Sequence, residues 1–380
     1  MKVLRIVTLA SATGRYGGPF DTAVSQSRLT AGEAGIRTTL LAGCLPNDAP
    51  NIRADAFNIS MPGVRMLVPR VGFTSCISWA MCRELVRQVR LADLVHVSYA
   101  RELIPLLASI LAIGLRKPLV IQPHGMLTAR TSRLHKIVDL VARPVFRKAT
   151  RTIALTVVER AHLQDWSGVR DLEQFSVIGN PLPFEPKHDS AGRADPMRRA
   201  MFIARLEPRK RVSDFLEAKR LANSWGWDEL YEVVGPDQGD GEAVALAAAE
   251  VPGVIYRGAV PAAEVDSILD TAGVFVLTSK NEPWGNVLVA ALLKGIPVVV
   301  TESAALAKEI GQNHLGIVVQ DSKPEEVARA VHSILFEEWR SPEQKSAARH
   351  FAAQRFNQAS IRDQLVSTYQ SALSLKSRRT

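Results

Sequence analysis

Cysteine is scarce in this chain, and its scarcity excludes a good deal. Cys44, Cys76 and Cys82 are the only three among 380 residues. They are too few and too scattered for a disulfide framework or a zinc site. They read as buried thiols in a reducing compartment, so a cytoplasmic location is expected and no metal is. Long apolar runs are missing too. The most apolar internal stretch, Leu103 to Leu115, is bounded by Glu102 and Arg116. It reaches only about half of the roughly 20 residues that a spanning helix needs, and it reads as a buried helix. The opening residues, Met1 to Ala12, imitate a secretory leader weakly. Arg5 interrupts an apolar run too short for one, so a first β-strand is expected. There is no zinc-finger spacing and no aromatic-rich single-strand platform, which argues against nucleic acid as a partner.

What is present is an ordinary globular composition, 47% hydrophobic and 22% charged. The chain is long enough for two domains of roughly 150–200 residues each. Its net charge is +9, with a basic concentration at Arg130, Arg133, Lys136, Arg143, Arg147, Lys148 and Arg151. A solvated helix face explains such a cluster, and so does a surface for an anionic membrane or a phosphorylated small molecule.

Short Val-, Ile- and Leu-rich runs alternate with helical patterns along almost the whole length, predicting parallel sheets wrapped by helices. Strands are expected at Val3–Leu9, Thr38–Ala42, Leu94–Val97, Leu119–Gln122, Thr152–Leu155 and Phe175–Ile178, with helices such as Thr22–Ala34 and Trp79–Arg90 between them. A polar, Pro-containing linker, Leu182 to Pro196, follows. The alternation restarts at Arg199–Ile203 and runs through Tyr231–Val234, Val254–Tyr256, Val274–Thr278, Val298–Val300 and Gly316–Val319. The last segment, Ala352 to Ser374, is read as one helix with Phe356, Ile361, Leu365 and Tyr369 on a stripe. The resulting division is residues 1–185, 196–351 and 352–380. Ligands of doubly wound sheets bind outside the carboxyl ends of the strands, so the strand-to-helix loops are where function is sought.

Four such loops hold unusual residues. After the first strand, Gly17-Gly18 precedes a helix whose free N–H groups suit a phosphate or a sugar hydroxyl; a plain tight turn is the alternative. The loop is neither the Gly-x-Gly-x-x-Gly fingerprint nor a P-loop. His124-Gly125 closes a central strand and either presents an imidazole to a ligand or is structural. Arg205 and Lys210 follow the first strand of the second half. Converging, they suit a diphosphate; apart, they are a solvated basic run. Lastly, Glu282 precedes Gly285, Asn286 and Val287, which open a short helix. Backbone donors for an anion thus stand beside a carboxylate able to accept from a sugar hydroxyl.

With these motifs the chain resembles glycosyltransferase family 4, the retaining enzymes of the GT-B fold, over nearly all its length. The resemblance rests on Gly17-Gly18, His124-Gly125, Arg205 with Lys210, Gly235-Pro236-Asp237, Gly258 and the block from Glu282 to Pro297. It implies two Rossmann-like α/β domains facing a central cleft, with the final helix crossing back to the N-terminal one. It assigns Arg205 and Lys210 to the diphosphate, Glu282 to the donor-sugar hydroxyls and His124 to the sugar near its sixth carbon. The Gly17-Gly18 loop faces donor and acceptor. The substrates implied are a UDP- or GDP-linked hexose and a glycan or lipid-linked acceptor, with no metal and no other cofactor. Pro123-His124-Gly125-Met126-Leu127 is similar to a variant found in enzymes of exopolysaccharide or lipid-linked glycan assembly, so contact with an anionic membrane is a further expectation. The sequence departs from the family pattern at Ala290, where a second glutamate usually accepts from the ribose hydroxyls. Losing one such bond is worth about 0.5–1.5 kcal/mol. Two other readings remain open at this stage. One is another GT-B enzyme, an epimerase or phosphorylase; the other is a non-catalytic sugar-nucleotide-binding protein of a glycan-assembly complex.

Overall fold

In the first strand, β1 (Lys2–Ala10), every residue after Lys2 is buried. A strand covered on both faces reads as a continuous apolar run, as a central strand of a parallel sheet must. The computed structural model describes residues 1–11, 18–52, 55–127, 133–182, 198–336 and 341–377. The chain divides into two units, Met1–Pro183 with Gln358–Thr380, and Phe184–Asn357.

In the first unit β1 is followed by β2 (Arg37–Cys44), β3 (Asn58–Ser60), β4 (Arg65–Met66), β5 (Cys76–Ile77), β6 (Leu94–Ser98), β7 (Leu119–Gln122), β8 (Arg151–Ala154) and β9 (Phe175–Val177). Its first five helices are α1 (Gly18–Leu29), α2 (Trp79–Leu91), α3 (Leu103–Gly114), α4 (Arg133–Arg147) and α5 (Val157–Ser167). The sheet is parallel throughout, in the order β3-β2-β1-β6-β7-β8-β9; β4 and β5 form a separate antiparallel pair. Helix starts follow capping chemistry: the Ser78 hydroxyl accepts from the Met81 N–H at 3.0 Å, and that of Thr156 from the Glu159 N–H at 3.1 Å.

The second unit carries β10 (Arg199–Ile203), β11 (Leu230–Val234), β12 (Val254–Tyr256), β13 (Val274–Leu277), β14 (Val298–Thr301) and β15 (Gly316–Val319). Around them lie α6 (Val212–Ser224), α7 (Gly241–Glu250), α8 (Ala262–Leu269), α9 (Asn286–Leu293), α10 (Ala307–Gln312), α11 (Pro324–Phe336) and α12 (Pro342–Arg355). Its parallel sheet runs β12-β11-β10-β13-β14-β15. Strand order reverses at β1/β6 in one unit and at β10/β13 in the other. Those are the two positions at which doubly wound sheets open a crevice.

Three expectations are corrected. The helix anticipated at Thr22–Ala34 begins at Gly18 and ends at Leu29, where left-handed Gly32 (φ 77°) follows. The short β3 and the β4–β5 pair were not anticipated, being too brief to show a period. The single final helix is two, α12 and α13 (Gln358–Ser377). They belong to different units, the division falling after Asn357. The apparent stripe joined residues with separate destinations. Phe356 packs edge-on against Trp284 at 5.7 Å in the second unit. Ile361, Leu365 and Tyr369 enter the core of the first with Val3, Leu94, Val120 and Ile153.

A buried polar network secures α13. The Arg5 guanidinium on β1 donates to the Tyr369 hydroxyl at 2.7 Å and to Gln26, and His96 Nδ1 lies 2.8 Å from the same hydroxyl. Gln26 donates to Gln122 at 3.2 Å, and Gln122 to Asn180 at 3.4 Å. Burial lowers the pKa of the Arg5 guanidinium. The linker anticipated at 182–196 lies, apart from Leu182, outside the described residues.

Candidate functional site

The loops after β10 and β13 flank the reversal point of the second unit, and each is held by backbone chemistry particular to its sequence. Gly235 directly follows β11 with φ 150°, and a Cβ there would lie 1.8 Å from the Ala204 carbonyl oxygen. Only glycine lets the two backbones approach that closely. The contact aligns the Gly235-Pro236-Asp237 loop beside the loop bearing Arg205. Ala204 N–H donates to Val234 at 3.1 Å, Leu206 N–H to Pro236 at 2.9 Å, and Gln238 N–H back to Leu206 at 3.1 Å. Gly258, also left-handed (φ 73°), accepts from the Gly235 N–H at 2.8 Å.

The turn carrying Lys210 is tied to the end of β13: the Thr278 hydroxyl donates to the Arg211 carbonyl at 2.8 Å, and the Lys280 N–H to that of Arg209 at 2.9 Å. The β13 loop is in turn pinned to the next crossover. Asn281, left-handed at φ 52°, donates its N–H to the Ser303 hydroxyl at 2.9 Å, and the Glu282 carbonyl accepts from Ala305 at 2.8 Å.

These constraints assemble a chain of alternating charge. Arg205 donates to Glu207 at 3.2 Å and to Gln238 at 3.1 Å. Arg209 reaches Glu207 at 3.4 Å and Glu282 at 3.9 Å. Lys210 Nζ lies 2.5 Å from Glu282 Oε2. Burial pushes the Glu282 carboxyl upward, but the charges of Lys210 and Arg209 outweigh it and hold the group below the ordinary range. Glu282 is therefore an ionised, 5% exposed carboxylate. Gly285 (φ 78°) directly precedes α9, whose first residues are Asn286 and Val287 and whose N–H groups point out of the helix start. Sequence reasoning thus named Arg205, Lys210, Glu282 and the Gly285–Val287 start, and the structure brings them into one neighbourhood. It missed Glu207, Arg209 and Gln238, which link them. Ala290 lies fully buried inside α9.

In the first unit the reversal point lies at β1/β6. Thr8 on β1 donates its hydroxyl to Glu102, just beyond β6. The two line a cavity of about 60 Å³ with Phe20, Ser98 and Met126. Burial pushes the Glu102 carboxyl up to about 7. The Ser98 hydroxyl lies 3.1 Å from His124 Nε2. His124 and Gly125 are both left-handed (φ 53° and 75°), a conformation that costs a non-glycine residue about 1–2 kcal/mol. Strain of that kind concentrates at functional sites. Burial, reinforced by the charge of Arg5, lowers His124 to about 3, so its imidazole is neutral. Glu159 on α5 fixes this loop by accepting from Gly125 N–H at 2.5 Å and Leu155 N–H at 2.6 Å. Gly18 is the first residue of α1. Gly17 lies outside the described residues, as does Arg130. Glu102, Thr8 and Glu159 were not singled out in the sequence, although Glu102 stands in the strand-to-helix loop after β6, directly before α3. Among the described residues no cluster of metal-ligating side chains occurs.

Two parallel-sheet, Rossmann-like units with polar clusters at the strand-order reversals define the GT-B class of α/β protein. Comparison with known proteins narrows this. The family described as glycosyl transferase 4-like domain matches residues 23–181, and that described as glycosyl transferases group 1 matches residues 198–337. The chain belongs to the group 1, family 4-like glycosyltransferases. It is similar in fold to HepE of Anabaena in complex with UDP and glucose, at 18% identity over 98% of this chain and 100% of that one, with a TM-score of 0.73. It is similar also to sucrose-phosphate synthase of Thermosynechococcus elongatus (17%, 98% and 99%, TM-score 0.76). A third such structure is WaaG, a glycosyltransferase involved in lipopolysaccharide biosynthesis (17%, 96% and 98%, TM-score 0.67). An uncharacterised 41.2 kDa protein in the cps region of Klebsiella pneumoniae is 25% identical over 171 residues, 45% of this chain; the match spans about half of that relative, 46% of its length.

Proposed function

We propose that the protein is a retaining hexosyltransferase that moves a sugar from a UDP- or GDP-linked donor to a glycan or lipid-linked acceptor, at the cytoplasmic face of a membrane. The observation that carries this reading is the Arg205–Glu207–Arg209–Glu282–Lys210 chain at the reversal point of the second unit. It joins cations suited to a diphosphate to a buried carboxylate suited to sugar hydroxyls, beside the start of α9. The likeness in fold to a protein crystallised with UDP and glucose supports a UDP donor.

In this reading Arg205 and Lys210 stabilise the negative charge that grows on the departing diphosphate, which is where a transferase gains most. The bond from the anomeric carbon to the phosphate oxygen breaks while the acceptor oxygen bonds to that carbon on the same face. The acceptor proton passes to the leaving phosphate, so no protein nucleophile is required, and in this reading no metal is expected. Glu282 accepts from donor-sugar hydroxyls, and neutral His124 hydrogen-bonds the sugar near its sixth carbon. The α9 N–H groups and the Gly17-Gly18 loop complete the binding of donor and acceptor.

The test offers UDP-, GDP- and ADP-hexoses with undecaprenyl-phosphate-linked and free oligosaccharide acceptors and determines the anomeric configuration of the product by NMR. Retained configuration and acceptor-dependent release of nucleotide are expected. Epimerised donor without acceptor, or binding of nucleotide with no transfer to any acceptor, would replace this reading.

A further inference from the structure

Helix α4 is the most two-faced of the larger helices, and it presents apolar side chains on more of its circumference than the core uses. Ala142, Val145 and Phe146 face inward, and Asp139 is buried with them. Leu134, Ile137, Leu140 and Val141 face outward, Ile137 being 63% and Leu140 75% exposed. Their spacing of i, i+3, i+6 and i+7 gathers them on one stripe of the helix. Lys136, Arg143 and Arg147, spaced i, i+7 and i+11, form an exposed basic line beside that stripe, and exposed Lys148 follows the last turn. The helix has one acidic residue, Asp139, which is turned inward, bound by Arg101 at 2.7 Å and the Trp166 indole N–H at 3.0 Å, and reached by Arg143 at 3.7 Å. Asp139 thus offsets part of the charge of Arg143, and no other acidic residue stands on the helix against Lys136 and Arg147. No helix among the described residues is long and apolar enough to cross a membrane.

We infer that the outer face of α4 is a docking surface for an anionic lipid bilayer, lying in the interface with Ile137 and Leu140 among the acyl chains and Lys136 and Lys148 at the headgroups. Charge decides the occupant. A bilayer with acidic headgroups satisfies both stripes at once, the apolar one below and the basic one at the phosphate level. A second copy of this chain, at net charge +9, would set basic line against basic line. The inference adds to the sugar-transfer reading only the place where it happens, and binding is measured with no donor present, so one can fail without the other.

The test is flotation of the full chain with vesicles of phosphatidylcholine and phosphatidylglycerol, against vesicles of phosphatidylcholine alone, at low and high salt. The wild type is expected to float with the anionic vesicles and to be released by salt. Ile137→Ser/Leu140→Ser and Lys136→Glu/Lys148→Glu, all at exposed positions, are each expected to lower the bound fraction roughly tenfold while leaving the circular dichroism spectrum unchanged. No flotation by the wild type, equal flotation with both vesicle types, or unchanged flotation of both variants would overturn the inference. So would self-association in sedimentation without lipid that Ile137→Ser/Leu140→Ser abolishes, because the face would then be a contact between copies.

Discussion

Lys210 Nζ lies 2.5 Å from Glu282 Oε2, joining the loop after β10 to the loop after β13 across the reversal point of the second sheet. Both side chains are nearly buried, and Arg209, at 3.9 Å, is the only other cation paired with that carboxylate among the described residues. Removing Lys210 strands a buried charge. Lys210→Ala is expected to cost about 3 kcal/mol in chemical denaturation of the second unit. Glu282→Gln in the same background should recover part of that loss. Additive effects in the double-mutant cycle would show the pair to be uncoupled.

Tyr369 makes the equivalent prediction for the first unit. Its hydroxyl receives the Arg5 guanidinium and meets His96, both buried. Tyr369→Phe leaves a buried cation short of an acceptor at a cost of about 2 kcal/mol. Urea denaturation measures it, and limited proteolysis should show α13 cut first.

Two groups give the first unit opposite responses to pH. His124, held near 3, stays neutral in the fold while the unfolded chain protonates near 6.5. The native state then binds fewer protons, so stability falls as pH drops from about 6.5 toward 3. Glu102, pushed up to about 7, contributes stability that is present below about 4.5 and lost as pH rises through 7. Melting temperatures across pH should show His124→Asn flattening the acid limb and Glu102→Gln the neutral one. Unchanged profiles in both variants would refute the two assignments.

Ala290 bears on the nucleotide. If ribose binding lacks an acceptor for want of a second glutamate, Ala290→Glu should tighten UDP binding by roughly threefold to tenfold in calorimetry. Unchanged affinity with a lower melting temperature would mean that the ribose finds its acceptor elsewhere and that the buried helix face cannot take the larger side chain.

The sheets were legible because buried parallel strands announce themselves as apolar runs, and the strand ends located Arg205, Lys210 and Glu282. Short strands such as β3 carry no period and stayed hidden. The α12–α13 break was masked because Phe356 and Ile361 continue one stripe while packing in different units. Glu159 was hidden by its setting. Thr156-Val157-Val158-Glu159 has the form of a capping box, in which the glutamate would serve its own helix start. One carboxylate oxygen does take a local donor, the Leu155 N–H just ahead of the helix, but the other reaches Gly125, 34 residues away in sequence. Partners at such separations are fixed by topology, and a local pattern carries no trace of them. Arg209 was overlooked for a simpler reason: in a run of basic residues, sequence does not say which one reaches a carboxylate.

The measurement closest to the central claim is the rate of sugar transfer from a UDP-hexose by the wild type and by Arg205→Ala, Lys210→Ala and Glu282→Ala, each checked for folding. Cations that stabilise a leaving diphosphate are expected to cost roughly a hundredfold or more in kcat when removed. Folded Arg205→Ala and Lys210→Ala proteins turning over at the wild-type rate would contradict the account.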